Sequence, residues 1–273
     1  MDSSAKPLHN LPASAISRKR IADFLDTMAD KSGAVSANRA RSALSAMFSW
    51  AMKRGLHDNN PVVATEKRKE KSRHRVLTNN EIAIVWNSLG EDDYAEVVRL
   101  LILTGQRAME IGGLRWSEID LERQIISLPA HRTKNGQPHS IPMAGPVRDT
   151  LESRARTRDF VFGTKGVEGF GGWDRSKKRL DAKIGDRITE SWTIHDLRRT
   201  LATGLQRLGV RLEVTEAILN HISGSRGGIA GVYQRHDWAT EKRQALDAWA
   251  AHVLAIVGST RKAATAQSRK NTR

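Results

Sequence analysis

The sequence predicts a mainly α-helical fold of the α+β class, with one small antiparallel β-sheet. Three observations predict it. Apolar residues recur at helical spacing over most of the chain. Three strand-like runs cluster between Leu114 and Met143. Between the last two runs stands Asn135-Gly136, a dipeptide suited to tight hairpin turns.

Residues 1–14 are polar and irregular. From Ile16 the residues Ile21, Phe24, Leu25 and Met28 follow at helical spacing, until Ser32-Gly33 breaks the segment. A second helix is expected over Ser36–Arg54, with apolar positions Ala40, Ala43, Leu44, Met47, Phe48 and Ala51. Gly55 is its expected cap, and Asn60-Pro61 stops the region. Two helices bury little area alone, so 1–63 reads as part of a helical domain. The stretch 64–75, ATEKRKEKSRHR, is a polar, basic linker. It reads either as a solvated connector or as a strap crossing a DNA backbone. Thr78 to Glu81 offers an N-cap for a helix reaching Leu89, and Tyr94 to Leu103 reads as a buried helix. The strand-like runs are Leu114–Ile119, Gln124–Leu128 and Pro138–Met143. After a loop rich in glycine, helices are expected over 173–184, 195–208, 212–219, about 227–236, and 239–256. The last has an apolar face of Leu246, Trp249, Ala250, Val253 and Leu254, for packing on its own domain or on a neighbouring protomer. The tail 258–273 is basic, lacks acids and is expected to be disordered.

The chain has 273 residues, room for one large domain or two modest ones. Lys and Arg outnumber Asp and Glu by 45 to 30, a formal charge of +15. Self-repulsion on that scale points to a polyanionic partner, nucleic acid first and an anionic membrane surface second. No stretch approaches the roughly 18 apolar residues of a membrane span. The N-terminus has no signal-peptide core, so a soluble, intracellular protein is expected. The absence of cysteine excludes disulfides, thiolate zinc sites and a cysteine nucleophile.

Several polar residues stand where chemistry could use them. In Thr104-Gly105-Gln106-Arg107, an apolar helix ends at a turn and Arg107 opens the next one. Arg107 and Glu110 share a helix face, and a forked guanidinium there suits a phosphate. Taken alone the two read as a surface ion pair. His195 and Arg198 share the face opposite Leu197, Leu201, Leu205 and Leu208. Alone they read as the polar side of an amphipathic helix. His221 ends another helix, Tyr233 follows a Gly-Val pair, and Lys134 sits in the turn before Asn135-Gly136. Each of these alone reads as structural or merely exposed.

Taken together, in chain order, Arg107, Lys134, His195, Arg198, His221 and Tyr233 make a set that resembles the tyrosine recombinase (phage integrase) family. The flanking words carry the resemblance: TGQRAMEIGGLRWSEID, HRTKNGQPHSIPM, WTIHDLRRTLATGL, ILNHISG and GVYQRHDW. VFGTKG and WDRSKKRLD are similar to the P4-like branch of prophage and genomic-island integrases. The resemblance covers residues 16–257.

The resemblance implies a tyrosine recombinase catalytic-domain fold over 76–257, preceded by a partial core-DNA-binding domain over 1–63. It implies strand cleavage and rejoining through a 3′-phosphotyrosine. Tyr233 would be the nucleophile, with Arg107, Arg198 and His221 on the phosphate. Lys134, on a mobile hairpin, would be the general acid for the leaving 5′-oxygen. His195 would assist proton transfer or position the phosphate and Tyr233. Glu110 would orient Arg107 or a neighbouring histidine. No cofactor and no metal are implied. The implied partners are double-stranded DNA, further copies of the chain in a homotetramer on paired sites, and DNA-bending accessory proteins. The expected location is the bacterial cytoplasm, at the nucleoid during reaction. Family members carry about four or more helices before the catalytic domain, and P4-like ones a further arm-site-binding domain. Only the second half of that core-binding domain is matched, so an N-terminally shortened member is expected. A DNA-binding remnant without catalysis and a type IB topoisomerase-like enzyme are the alternatives.

Overall fold

The computed structural model describes residues 8, 10–70, 72–163, 168–221 and 237–271. The chain divides into two compact units, Met1–Arg73 and His74–Arg273.

The first unit is organised by α1, Arg18–Lys53, which Ser17 caps by accepting from the Arg20 N–H. At Gly33 the backbone takes φ 84° and ψ 164°, so α1 is two helices meeting at a kink. That positive φ is open to glycine at little cost, which is why the break falls there. Ile16, Ile21, Phe24, Leu25, Phe48 and Val62 form the unit's core. Asn60 holds the closing turn against the helix by donating to Ser45 O at 3.0 Å and Ser49 Oγ at 3.0 Å. Part of the basic stretch expected as a linker is also held within this unit. Asn38 donates to Arg68 O at 2.8 Å, and Arg41 donates to Thr65 O.

The second unit contains α2 (Asn79–Ser88), α3 (Asp93–Thr104), α4 (Ala108–Gly112), α5 (Gly145–Glu152), α6 (Trp173–Ile184), α7 (Ile194–Arg207), α8 (Leu212–Ile218) and α9 (Ala239–Asn271). Its sheet is antiparallel, in the order β1 (Ile119–Asp120), β2 (Ile125–Leu128), β3 (His139–Pro142). Thr78 caps α2 through a reciprocal box with Glu81, as its spacing predicts.

The centre of the unit is α3. Val97, Val98, Leu100, Leu101, Ile102 and Leu103 are all buried. Around it pack Leu197, Leu201 and Leu205 of α7 and Leu246, Trp249 and Val253 of α9, and Ile126 and Ile141 of the sheet join the same core. Each large side chain so buried stabilises the fold by about 1.5–3 kcal/mol.

Three elements differ from the sequence expectation. The run Leu114–Ile119 is mostly a tight turn over Trp116–Glu118, with only two residues of strand after it. The Glu118 carboxylate causes this, accepting from the Arg115 N–H at 2.9 Å and from Arg132 Nε at 2.9 Å. The extended residues before it pair with 159–161 instead, Trp116 N donating to Asp159 O and Val161 N to Leu114 O. Helix α5 has no counterpart among the expected elements; Pro146 opens it, and Val147 and Leu151 bury one face. The basic tail is helical to Asn271 rather than irregular. Its alanines, lysines and arginines are good helix formers and no glycine or proline interrupts residues 259–271. The expected helix near 227–236 lies outside the described residues.

The apolar face of α9 is covered mainly by its own domain. Leu246, Trp249, Ala250 and Val253 are buried, Leu254 is exposed, and the indole N–H of Trp249 donates to Ile102 O at 2.8 Å. This packing explains a glycine inside α7. A Cβ at position 204 would lie 2.1 Å from Trp249 Cζ3. The Gly204→Ala chain is therefore expected to lose about 1–3 kcal/mol of stability despite alanine's better helix propensity. Urea unfolding checks this; an unchanged or raised midpoint would contradict the packing.

Candidate active site

The end of α3 builds the first part of the site. Gly105 takes φ 65° and its N–H donates to Leu101 O, closing the helix. A side chain at this position would press within 3.0–3.2 Å of Leu201 and Leu219, so the turn needs glycine for shape as well as for φ. The chain then delivers Arg107 as the residue that opens α4. The Glu110 carboxylate accepts from the Arg107 backbone N–H at 2.9 Å and from its Nη1 at 2.8 Å. Glu110 is only 3% exposed, so it holds the guanidinium in one orientation. Of the two partners expected for Glu110, the structure supplies the arginine.

Helix α7 builds the second part. Thr193 and Asp196 close its N-terminus reciprocally, fixing the first turn that carries His195. Arg198 is one turn further in and is buried. Its Nη1 donates to Gly105 O at 2.8 Å, and its Nη2 donates to Leu219 O.

The C-terminus of α8 is where the parts meet. His221 N donates to Glu216 O at 3.0 Å and Asn220 N to Ala217 O at 3.3 Å. Asn220 has φ 48°, the left-handed conformation this helix ending requires. The ending leaves the carbonyls of Ile218, Leu219 and Asn220 to be satisfied from elsewhere. Ile218 O accepts from Gln106 Nε2 at 2.9 Å and from His139 Nε2 at 3.0 Å. Leu219 O accepts from Arg198. Asn220 O accepts from Asn135 Nδ2 at 2.8 Å. Three distant segments are thus bonded to the turn that presents His221.

Lys134 lies in the loop between β2 and β3. Leu128 pairs with His139, so the loop runs from 129 to 138, close to the gap between the two expected strands, with Asn135-Gly136 inside it. Gly136 N donates to Thr133 O across Lys134 and Asn135, and Thr133 Oγ1 donates to Gln137 O. The stem is held by Arg132, which donates to Glu118, to Glu110 O at 3.0 Å and to Gly113 O at 2.6 Å. The hairpin expected to be mobile is therefore anchored at its stem by Arg132 and at its tip by Asn135. Lys134 is exposed between the two anchors.

The electrostatics show that the other groups share one place. Burial first, then the charge of Arg107, lowers the pKa of Arg198 to about 10 against the opposing pull of Glu110. Arg198 thus stays charged at neutral pH. Partial burial, then Arg198 and Arg107, hold the His221 pKa below the usual histidine value. Partial burial, then Arg199 and Arg198, do the same for His195, against the opposing pull of Asp196. His139, deeply buried, is held at about 3 and is a neutral ring donating from Nε2. In the DNA-free protein His195 and His221 are accordingly expected to titrate below the ordinary value of about 6.5, and an added phosphate anion should move both upward. NMR titration of the ring protons checks this, and free-protein values at or above the ordinary one would contradict the cationic cluster.

The sequence profile described as the phage integrase family matches residues 75–237. The chain belongs to the phage integrase family. Among curated relatives, this integrase-family chain is 26% identical over 231 residues to the prophage integrase IntZ of Escherichia coli K12, covering 81% of this chain and 56% of the relative. It is 27% identical over 241 residues to the integrase of Escherichia phage HK022, covering 81% and 64%. It therefore spans less than two thirds of the length of these two relatives. Among solved structures, a lambda integrase dimer bound to a COC' core site superposes with a TM-score of 0.62 at 22% identity, covering 82% of this chain and 86% of that one. A lambda integrase tetramer bound to a Holliday junction gives 0.62 at 23%, covering 82% and 70%. At these identities the structures establish a shared fold: a mainly helical integrase catalytic domain with a small antiparallel sheet.

Of the residues singled out from sequence, the fold of this integrase-family chain gathers Arg107, Glu110, His195, Arg198 and His221, with the Lys134 loop bonded to the residue before His221. Tyr233 lies outside the described residues. Sequence reasoning passed over Gln106, Arg132, Asn135, His139 and Asn220. All five stand in the words that carry the resemblance, Gln106, Asn135 and Asn220 directly beside Arg107, Lys134 and His221. Their bonds reach residues far away in the chain, which no local pattern announces.

Proposed function

We propose that this chain is a site-specific tyrosine recombinase. It cleaves and rejoins double-stranded DNA through Tyr233, as a homotetramer on paired sites, with DNA-bending proteins as accessory partners. The observation that carries this reading is the convergence of Arg107, Arg198, His195 and His221, with the Lys134 loop tied to the same helix end.

Each group has a task its chemistry suits. Arg107 and Arg198 place forked donors on the two non-bridging oxygens of a phosphodiester. His221 adds a third donor. The Tyr233 hydroxyl oxygen attacks phosphorus, and the phosphorus–O5′ bond breaks. The phenolic proton passes toward His195, where partial burial and the charges of Arg199 and Arg198 favour the neutral ring that can accept it. Lys134 donates a proton to the departing 5′-oxygen. Atoms and charge balance: a phosphodiester and a phenol become a 3′-phosphotyrosine and a 5′-hydroxyl. Rejoining is the reverse, with a 5′-hydroxyl as attacker, and the stored ester makes a nucleotide cofactor unnecessary. The cationic groups supply the charge that a metal ion supplies in other phosphoryl-transfer sites. No described helix is long and apolar enough to cross a membrane. The +15 charge suits a polyanion such as DNA.

The test uses a pool of nicked duplexes of randomised sequence, in EDTA, with covalent adducts recovered and sequenced. A common cleaved sequence is expected. Salt-dependent binding without any adduct would sink the reading and leave a DNA-binding remnant. Plasmid relaxation without sequence preference would favour a topoisomerase-like enzyme instead.

A further inference from the structure

We infer that Asn135 and Asn220 form a clasp that positions Lys134 beside the phosphate held by His221. The inference rests on the proposed recombinase reading, in which Lys134 protonates the leaving 5′-oxygen.

Three observations carry it. Asn220 occupies a left-handed position, φ 48°, where glycine would sit without strain and where asparagine is the tolerated alternative. The side chain does something glycine cannot. Its amide faces the loop tip, donating to Asn135 Oδ1 at 3.3 Å and to Gln137 O at 3.4 Å. The shorter contact runs the other way, from Asn135 Nδ2 to Asn220 O at 2.8 Å. Asn135 thus serves twice, because its Oδ1 also accepts from Gln137 N and shapes the turn.

The placement of these bonds gives them their meaning. Asn135 follows Lys134 directly, and Asn220 precedes His221 directly. A ten-residue loop, 129–138, would otherwise leave its exposed lysine to sample many positions. Arg132 fixes the stem alone, which leaves the tip free to swing about it. The clasp removes that freedom and joins the residue next to the proton donor to the residue next to the phosphate donor. Asn135 and Asn220 are positioning residues: they touch neither substrate nor reacting atoms.

The experiment measures single-turnover cleavage of the selected nicked duplex and of the same duplex with sulfur at the bridging 5′ position. A 5′-thiolate leaves without a proton, so a defect in proton delivery disappears on that substrate, whereas a general loss of structure does not. Asn135→Ala and Asn220→Gly are each expected to cleave the ordinary duplex about 10- to 100-fold more slowly, part of the full contribution of a general acid. On the sulfur duplex both should fall within about threefold of the unaltered chain. Asn220→Gly keeps the backbone conformation, so it tests the clasp where Asn135→Ala also disturbs the turn. Equal losses on both duplexes, or no loss from either substitution, would overturn the clasp. No adduct from the unaltered chain on either duplex would instead overturn the recombinase reading on which it rests.

Discussion

The Tyr233→Phe chain is expected to form no covalent adduct with the nicked duplex, a fall of at least about 10⁴-fold in cleavage. The substitution removes one oxygen, the atom that would bond to phosphorus. A free phenol has a pKa of about 10, so only about one in a thousand is ionised at neutral pH. A cationic site that binds the phosphate and accepts the proton is what would make such a hydroxyl competent. The arginines, histidines and Lys134 remain in the substituted chain, so DNA binding and its dependence on salt should be nearly unchanged. Loss of adduct with retained binding separates chemistry from recognition. Adduct persisting in Tyr233→Phe would refute the assignment of the nucleophile, and mass mapping of the linked peptide would locate the true one.

The second large effect is expected at Arg198. The Arg198→Lys chain should cleave about 10²- to 10³-fold more slowly, the loss associated with one preorganised donor to a charged transition state. Lysine keeps a positive charge but not the fork, so it cannot hold Gly105 O, Leu219 O and a phosphate oxygen together. Arg198→Ala should add a structural penalty of about 2–5 kcal/mol, because two buried carbonyls lose their donor. Thermal melting alongside single-turnover cleavage distinguishes the two losses. Cleavage by Arg198→Lys within about threefold of the unaltered chain would remove Arg198 from the phosphate site.

Arg198 also marks the difference between reading a residue and reading its surroundings. Its spacing from His195, one helical turn, follows from the sequence, as does the leucine stripe that buries the opposite face of α7. That its guanidinium ties the end of α3 to the end of α8 does not. The same holds for Glu110. The spacing offered Arg107 as its partner, the family resemblance added a neighbouring histidine, and the hydrogen bonds from Arg107 to the buried Glu110 carboxylate decided for the arginine. Asn135-Gly136 marks the turn between the last two strand runs, and a turn stands there, but that Asn135 reaches across to Asn220 follows from no local pattern. Leu114–Ile119 looked like a strand until Glu118 met Arg132, fourteen residues away. On the face of α9, four of five residues are buried in their own domain, Trp249 among them against Gly204 of α7, which no local pattern announces.

The sequence by itself determined the helical class, most helix boundaries, the positive charge and the ordered set Arg107, Lys134, His195, Arg198, His221 and Tyr233. Caps, apolar spacing and the words around a motif depend on near neighbours, so they survive in one dimension. The tertiary structure alone decided how the set is held together. The carbonyls of Ile218, Leu219 and Asn220 must find donors once α8 ends, and the donors come from Gln106, His139, Arg198 and Asn135, up to 112 residues away. An unpaired buried carbonyl is costly, but which distant side chain relieves it depends on packing, and packing is not written in any local pattern.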